Sequence, residues 1–281
     1  MNYFERAKFF KTKKRLGQNF LINADVIDAI IDEAGITDHD TVIEIGPGVG
    51  FVTEQLIKHA RKVIAIELDG EAIEELKKLN APNLEIIHQD ILKTDFSELI
   101  PEGEKVKIVA NIPYYITSPI IAHLLGEVDD LDNKNRKRIK DIILMVQEEV
   151  ARRMAADENS PSKQYGLLTI LSQFWADVEI FRLVGRKSFY PAPKVNSALV
   201  KLNVLEKPKL ELSDYKHFRK TVKAAFSQRR KNIKNCLLQG GFSKENIQKS
   251  LSALQIDENT RGEKLSIETF GKLSEELLKN G

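Results

Sequence analysis

Two short stretches combine residue types that could do chemistry. The first is Asn111-Ile112-Pro113-Tyr114-Tyr115, directly behind the apolar run Val106–Ala110. Open α/β sheets bind ligands beyond the carboxyl ends of their strands, so an amide, a proline and aromatic rings there point to a site. The same residues are also ordinary strand-to-turn punctuation. The second stretch is Glu44-Ile45-Gly46-Pro47-Gly48-Val49-Gly50, where a β-branched run opens into three alternating glycines. Glycines let a backbone approach a ligand closely at the mouth of a helix. About twenty residues further on stands Glu67, where a carboxylate can accept both hydroxyls of a ribose. Asp90 follows the next apolar run. Singly, Glu67 reads as a surface acid and Asp90 as a helix cap; at successive strand ends they favour a nucleoside pocket. A nicotinamide fingerprint, G-x-G-x-x-G, loses ground because its third glycine position falls on Phe51.

These residues need a parallel sheet to bring them together. Apolar runs at 41–45, 62–68, 84–89, 106–110 and 141–146 alternate with helical patterns, the rhythm of strands joined by helical crossovers. Between the first two, Val52, Leu56, Ile57 and Ala60 share one helical face. Residues 171–184 and 197–205, joined by the Pro-rich loop 185–196, read as an antiparallel terminal hairpin closing the sheet. The mixed-charge stretch 129–141 reads as an exposed connection. Beyond 205–214 the pattern turns helical to the end, which predicts an α/β domain over 1–205 and a small α-helical domain over 206–281.

With 281 residues, 42% hydrophobic and 30% charged, the chain has the composition of a soluble globular protein. A formal charge of only +2 means that any affinity for a polyanion must come from clustering. Residues 6–20 and 215–243 are such clusters, the second without a single acid. Within it Arg229, Arg230 and Lys231, with Lys223 and Lys234 nearby, are read as a basic helical face for RNA; a solvated helix is the bland alternative. The single cysteine, Cys236, lies outside any metal-binding spacing and reads as a core thiol, so no metal is expected. The first twenty residues lack an apolar core, and no apolar stretch nears 18 residues, which predicts a cytoplasmic location and no membrane span.

The glycine loop with its preceding acid resembles the first motif of class I S-adenosylmethionine-dependent methyltransferases. Asn111–Tyr115 resembles the motif of those that methylate an exocyclic amino group of a nucleobase. Six blocks in order (LGQNFL, EIGPGVG, NIPYYITSPI, FYPAPKVNSALV, AFSQRRKNIKN and RGEKLSIETF) cover nearly the whole chain and resemble the bacterial small-subunit ribosomal RNA adenine dimethyltransferases, the KsgA family. The first three are shared with relatives that methylate large-subunit RNA; the last three are more particular to the small-subunit enzymes. The resemblance implies a Rossmann-like, mostly parallel seven-stranded sheet and S-adenosylmethionine as cofactor. It implies dimethylation of two adjacent adenosines in the 3′-terminal hairpin of small-subunit RNA within a pre-30S particle.

It also implies cofactor contacts at Asn19, Leu21, Gly46, Gly48, Glu67, Asp90 and Asn111, with Gln18 adjacent. Asn111 and the Ile112 carbonyl would accept the hydrogens of the adenine amine, Pro113 would hold Ile112 extended, and Tyr114 would stack on the purine. Phe189 reads as a second stacking face or as a hydrophobic plug. A large-subunit RNA methyltransferase and a non-catalytic ribosome-assembly factor remain alternatives, a monomer is the default, and Gly262 stands where a better helix former is expected.

Overall fold

The computed structural model describes residues 2–13 and 16–281; Lys14 and Arg15 of the N-terminal basic cluster lie outside the described residues. The chain divides into two compact units. The first runs from the N-terminus to Leu124 and adds Asn133–Ala151 and Asp177–Val204. The second comprises Leu125–Asp132, Arg152–Ala176 and Leu205–Gly281. This division departs from a single cut at 205/206.

The first unit is built on a seven-stranded sheet. Its strands are β2 (Thr41–Ile45), β3 (Lys62–Glu67), β4 (Leu84–His88), β5 (Val106–Asn111), β6 (Ile139–Gln147), β7 (Ala176–Val184) and β9 (Ser197–Val204), in the order β4-β3-β2-β5-β6-β9-β7. β1 (Phe20–Leu21) and β8 (Phe189–Tyr190) form a separate antiparallel pair. Strands β2 to β6 are mutually parallel, and β9 runs antiparallel to β6. Every residue of β2 is buried, as expected for a central strand covered on both faces. Helices α2 (Ala24–Ala34), α3 (Thr53–His59), α4 (Gly70–Lys77), α5 (Phe96–Leu99), α6 (Thr117–Leu125) and α7 (Glu148–Met154) flank the strands; α1 (Tyr3–Phe9) precedes them. At the end of the sheet opposite the strand termini of interest, the buried Lys107 donates from Nζ to the Ala34 and Gly35 carbonyls at 2.6 and 2.7 Å. It thereby satisfies carbonyls that the last turn of α2 leaves open.

In the second unit, α8 (Leu167–Trp175), α9 (Tyr215–Ala225), α10 (Ile233–Gln239), α11 (Lys244–Ala253) and α12 (Ile267–Lys279) enclose an aromatic core. Phe174 stacks on Phe218 at 5.3 Å and meets Trp175 and Tyr215 edge-on. The Trp175 indole donates to the Glu127 carbonyl at 3.1 Å. Those contacts explain why 125–132 and 152–176 group with the C-terminal helices: their apolar surface is buried there.

Two sequence readings need correction. Residues 171–184 do not form one strand, because the helix ends at Trp175 and β7 begins at Ala176. Burial of Leu168, Ile170, Phe174 and Trp175 follows the needs of the aromatic core rather than of a sheet face. The stretch 129–141 is not simply exposed: Asn135 and Arg136 are buried, and the Asn135 amide oxygen accepts the Phe96 N–H at 2.8 Å. Cys236 is fully buried, as read.

Gly262 also has its reason. It is buried, and a Cβ there would stand 2.9 Å from the Ala225 carbonyl oxygen at the end of α9. Gly262→Ala should therefore destabilise the protein by about 1–3 kcal/mol, the usual cost of overpacking. Gly185→Ala, with φ −66° and open space around the new methyl, should stay within about 0.5 kcal/mol of the parent. Urea unfolding of both variants measures the contrast.

Candidate active site

Strand order reverses between β2 and β5, and a cleft opens beyond their carboxyl ends. The register aligns Ile45 with Ile66 and Ala110, and Glu67 with His88, so the residues that follow each strand reach the cleft side by side. Gln18, Asn19, Leu21, Gly46, Gly48, Glu67, Asp90, Asn111, Ile112, Pro113 and Tyr114 all line it. Phe189 does not.

The glycine loop is fastened to the end of β3. Gly48 has φ +58° and donates its N–H to Glu67 Oε2 at 2.9 Å. A Cβ on Gly48 would lie 2.8 Å from the Phe20 ring, so both its conformation and its close packing call for glycine. Glu67 Oε1 accepts the N–H groups of Leu68 and Asp69, each at 2.9 Å. Three of a carboxylate's roughly four acceptor sites are thus in use. A grip on two ribose hydroxyls would require Glu67 to give up a backbone donor, which the sequence reading did not foresee. Burial pushes the Glu67 carboxyl up, against the pull of these three donors.

Asp90 caps the short turn Ile91–Lys93, accepting the Leu92 N–H on Oδ1 at 3.0 Å. The cap reading describes one oxygen, and the other remains an acceptor at the cleft wall. Along the opposite wall, Asn111 donates from Nδ2 to the Asn19 carbonyl at 3.3 Å. With the amide nitrogen so engaged, Oδ1 remains free to accept. Ile112 is buried, and Pro113 holds φ −59° and ψ 131°. Tyr114 is half-buried, and its hydroxyl shares a 2.6 Å hydrogen bond with the fully buried Ser197 of β9, which pins the ring. Burial raises the phenol above its ordinary value.

Phe189 is 3% exposed and packs in the core beside Leu21, its partner across β1 and β8. Of its two readings, the plug describes this position. The exposed ring at the cleft is instead Tyr115, 64% exposed and against Gly17.

Lys13, Asp69 and Ser197 escaped the sequence reading. Gln18 donates to Asp69 Oδ2 at 2.7 Å, and Lys13 pairs with Asp69 Oδ1 at 2.6 Å, tying the N-terminal segment to the start of α4. Burial alone would raise the Asp69 carboxyl, but these donors outweigh it and hold it low. Ser197 lies within FYPAPKVNSALV, and nothing in its spacing ties it to Tyr114. Glu44 is buried and accepts the Thr53 hydroxyl at 2.6 Å; burial first, and repulsion from Glu67 in addition, push its carboxyl up to about 8.

Of the basic candidates, Lys223 is exposed on α9. Arg229, Arg230 and Lys231 are not on a helix: they occupy the turn between α9 and α10, closed by Lys231 N–H to the Gln228 carbonyl at 3.1 Å. All three are exposed. Lys234, on α10, is ion-paired with Glu258 at 2.7 Å. No group of residues able to hold a metal occurs among the described residues, and none of the helices described is long and apolar enough to cross a membrane.

Because the folded Glu44 holds its proton to about 8, against about 4.5 for an exposed glutamate, the native chain carries an extra proton between those values. Its contribution to stability therefore falls as pH rises across that window, by at most about 1.4 kcal/mol per pH unit. Melting temperatures of wild type and Glu44→Gln between pH 5 and 8 should converge at the acid end. They should diverge toward pH 8 in favour of the variant.

Residues 9–279 match the family model for ribosomal RNA adenine dimethylase. Over 270 residues the chain is 45% identical to ribosomal RNA small subunit methyltransferase A of Clostridium botulinum, covering 95% of this chain and 94% of that protein. Among solved structures, a dimethyladenosine transferase from Plasmodium falciparum is similar at 32% identity and a TM-score of 0.72, over 92% of this chain and 97% of that one. The 23S rRNA methyltransferase ErmE is similar at 27% identity and a TM-score of 0.68, over 92% and 99%. With this match across nearly its whole length, and with the motif residues of the sequence gathered around one cleft, the chain belongs to the ribosomal RNA adenine dimethylase family.

Proposed function

We propose that this protein transfers methyl groups from S-adenosylmethionine to the exocyclic amines of two adjacent adenosines in the 3′-terminal hairpin of small-subunit ribosomal RNA. The observation that carries this reading is the Asn111 amide, whose nitrogen donates to the Asn19 carbonyl and leaves Oδ1 to accept, in a cleft that a pinned tyrosine also lines. The small subunit is favoured by the 45% identity to the Clostridium botulinum protein of that name, against 27% to ErmE.

The cleft suits the cofactor. Gly46 and Gly48 take the positive-φ turns that carry the loop backbone along the cleft, Glu67 offers a buried acceptor to ribose hydroxyls, and Asp90 offers one to an adenine amine. Gln18, Asn19 and Leu21 close the remaining side. When bound, S-adenosylmethionine supplies an electrophilic methyl group on a sulfonium.

The remaining work is positioning. Adenine's amino nitrogen is a poor nucleophile because its lone pair is delocalised into the ring. Acceptance of its two hydrogens by Asn111 Oδ1 and the Ile112 carbonyl lets that nitrogen pyramidalise. Pro113 restricts Ile112 to an extended conformation, which keeps the carbonyl aimed. Tyr114 provides a stacking face, worth roughly 1–3 kcal/mol against the few required to unstack a base. Phe189 serves as a second face only if the β1–β8 pair opens, whereas Tyr115 is already exposed. The methylated amine then loses its proton to water. A monomethylated amine keeps one hydrogen, which either Asn111 Oδ1 or the Ile112 carbonyl accepts in a second transfer.

Lys223, Arg229, Arg230 and Lys231 supply exposed charge for the RNA backbone; Lys234, paired to Glu258, contributes least. The protein acts as a monomer in the cytoplasm on a pre-30S particle.

Asn111→Ala should lower methyl transfer about a hundredfold or more at saturating S-adenosylmethionine, the usual worth of an oriented transition-state acceptor, with RNA affinity retained. Near-wild-type turnover refutes the role. The substrate is tested by incubating the enzyme with separated ribosomal subunits from cells lacking it and mapping dimethylated adenosines by primer extension and mass spectrometry. Modification confined to large-subunit RNA, as the name of ErmE describes, would overturn the substrate assignment.

A further inference from the structure

Residues 157–166 and the turn that carries Arg229, Arg230 and Lys231 are remote in sequence, yet the second unit brings them together. The fastening is made by the segment 258–264. Glu263 accepts the Ser162 hydroxyl on Oε1 at 3.0 Å and the Lys163 N–H on Oε2 at 3.2 Å, so both its oxygens are spent on one short stretch 100 residues away. Lys264 donates to the Glu158 carbonyl at 3.1 Å. The same segment holds the basic turn, since the Ile233 N–H donates to the Thr260 carbonyl at 2.7 Å and Gly262 lies against the Ala225 carbonyl. Arg229 closes the circuit by donating from Nη1 to the Lys163 carbonyl at 3.4 Å.

Lys163 has φ +78°, a conformation that lysine adopts only when its surroundings impose it. Lys163 is the third residue of a turn closed by the Gln164 N–H on the Pro161 carbonyl at 3.2 Å, a position that takes positive φ, and the two Glu263 bonds hold that turn. The side chain of Lys163 is exposed, as are those of Arg229, Arg230 and Lys231, and none of the four is ion-paired among the described residues. Three nearby acids are occupied. Asp157 holds Asn159 and Ser160 of its own loop, Glu258 holds Lys234, and Glu263 holds Lys163. The acids thus shape the loops while the four cations remain available. Arg229 spends one of a guanidinium's five donors on the loop and keeps the rest.

We propose that Lys163 is a further phosphate contact on the same RNA-backbone surface as the basic turn, and that Glu263 is the positioning residue that places it there. The proposal rests on the reading of the protein as an RNA-modifying enzyme. It separates cleanly from simple charge effects. Glu263→Ala adds one unit of positive charge, and charge alone would tighten RNA binding; loss of positioning weakens it. The two explanations differ in sign.

The test uses the full-length protein and the 3′-terminal hairpin RNA of the small subunit, titrated over a range of potassium chloride concentrations. Lys163→Gln, a change to an exposed side chain, should lower the slope of log affinity against log salt by roughly 0.7–0.9. Glu263→Ala should weaken binding several-fold at fixed salt, and Glu263→Gln, which retains one acceptor oxygen, should fall between. S-adenosylmethionine affinity should be unchanged in all three. A slope identical to wild type in Lys163→Gln overturns the contact, even if Glu263→Ala proves unstable on melting. Equal or tighter binding by Glu263→Ala overturns the positioning role. Wild-type protein that methylates small subunits while the variants bind normally defeats only this inference; a wild type that methylates no ribosomal RNA defeats the underlying reading, and this inference with it.

Discussion

A parallel sheet wound outward in both directions from one pair of strands leaves a crevice between them, because the crossovers from β2 and β5 depart in opposite senses. Everything in the candidate site hangs on that reversal and on the register across it. Ile45, Ile66 and Ala110 lie in line, so the glycine loop, Glu67 and Asn111 emerge at one level. A slip of one residue in any of these strands would turn its side chains to the other face. The buried strands resist such a slip because both faces of the central sheet are covered by apolar residues.

The charges at the crevice are arranged for holding rather than for acid–base exchange. Glu67 is occupied by three backbone donors, Asp69 by Lys13 and Gln18, and Glu44 keeps its proton through neutral pH. Each carboxyl either organises a loop or stays neutral. That fits a reaction in which the substrate amine is aimed by acceptors and its proton is lost only after transfer. Tyr114, fixed through Ser197, extends the same economy of motion to the aromatic wall.

The second unit applies a related device to exposed residues. Loops from distant parts of the sequence are joined by backbone acceptors and by Glu263, both of whose oxygens are used in the joining. Gly262 is part of this arrangement: a residue with stronger helix propensity would collide with the Ala225 carbonyl. Local propensity yields there to close packing.

The amino-acid order was enough to read the strand rhythm, the alternating glycines, the acids at successive strand ends and the Asn-Pro-Tyr motif, because each is a local pattern tied to backbone geometry or to the period of a strand. It identified the family, and it set Cys236 in the core. It could not divide 167–184 between helix and strand, since apolar residues there serve an aromatic core assembled from Phe174, Trp175 and Phe218. Nor could it tell that Phe189 is packed against Leu21 while Tyr115 is exposed, that Arg229–Lys231 form a turn, or that Lys234 is paired. Those outcomes depend on which side chain meets which across tens of residues, and only the tertiary structure decides such meetings. The protonation of Glu44 belongs with them, because burial and the nearness of Glu67 raise its carboxyl, and neither is written in the residues beside it.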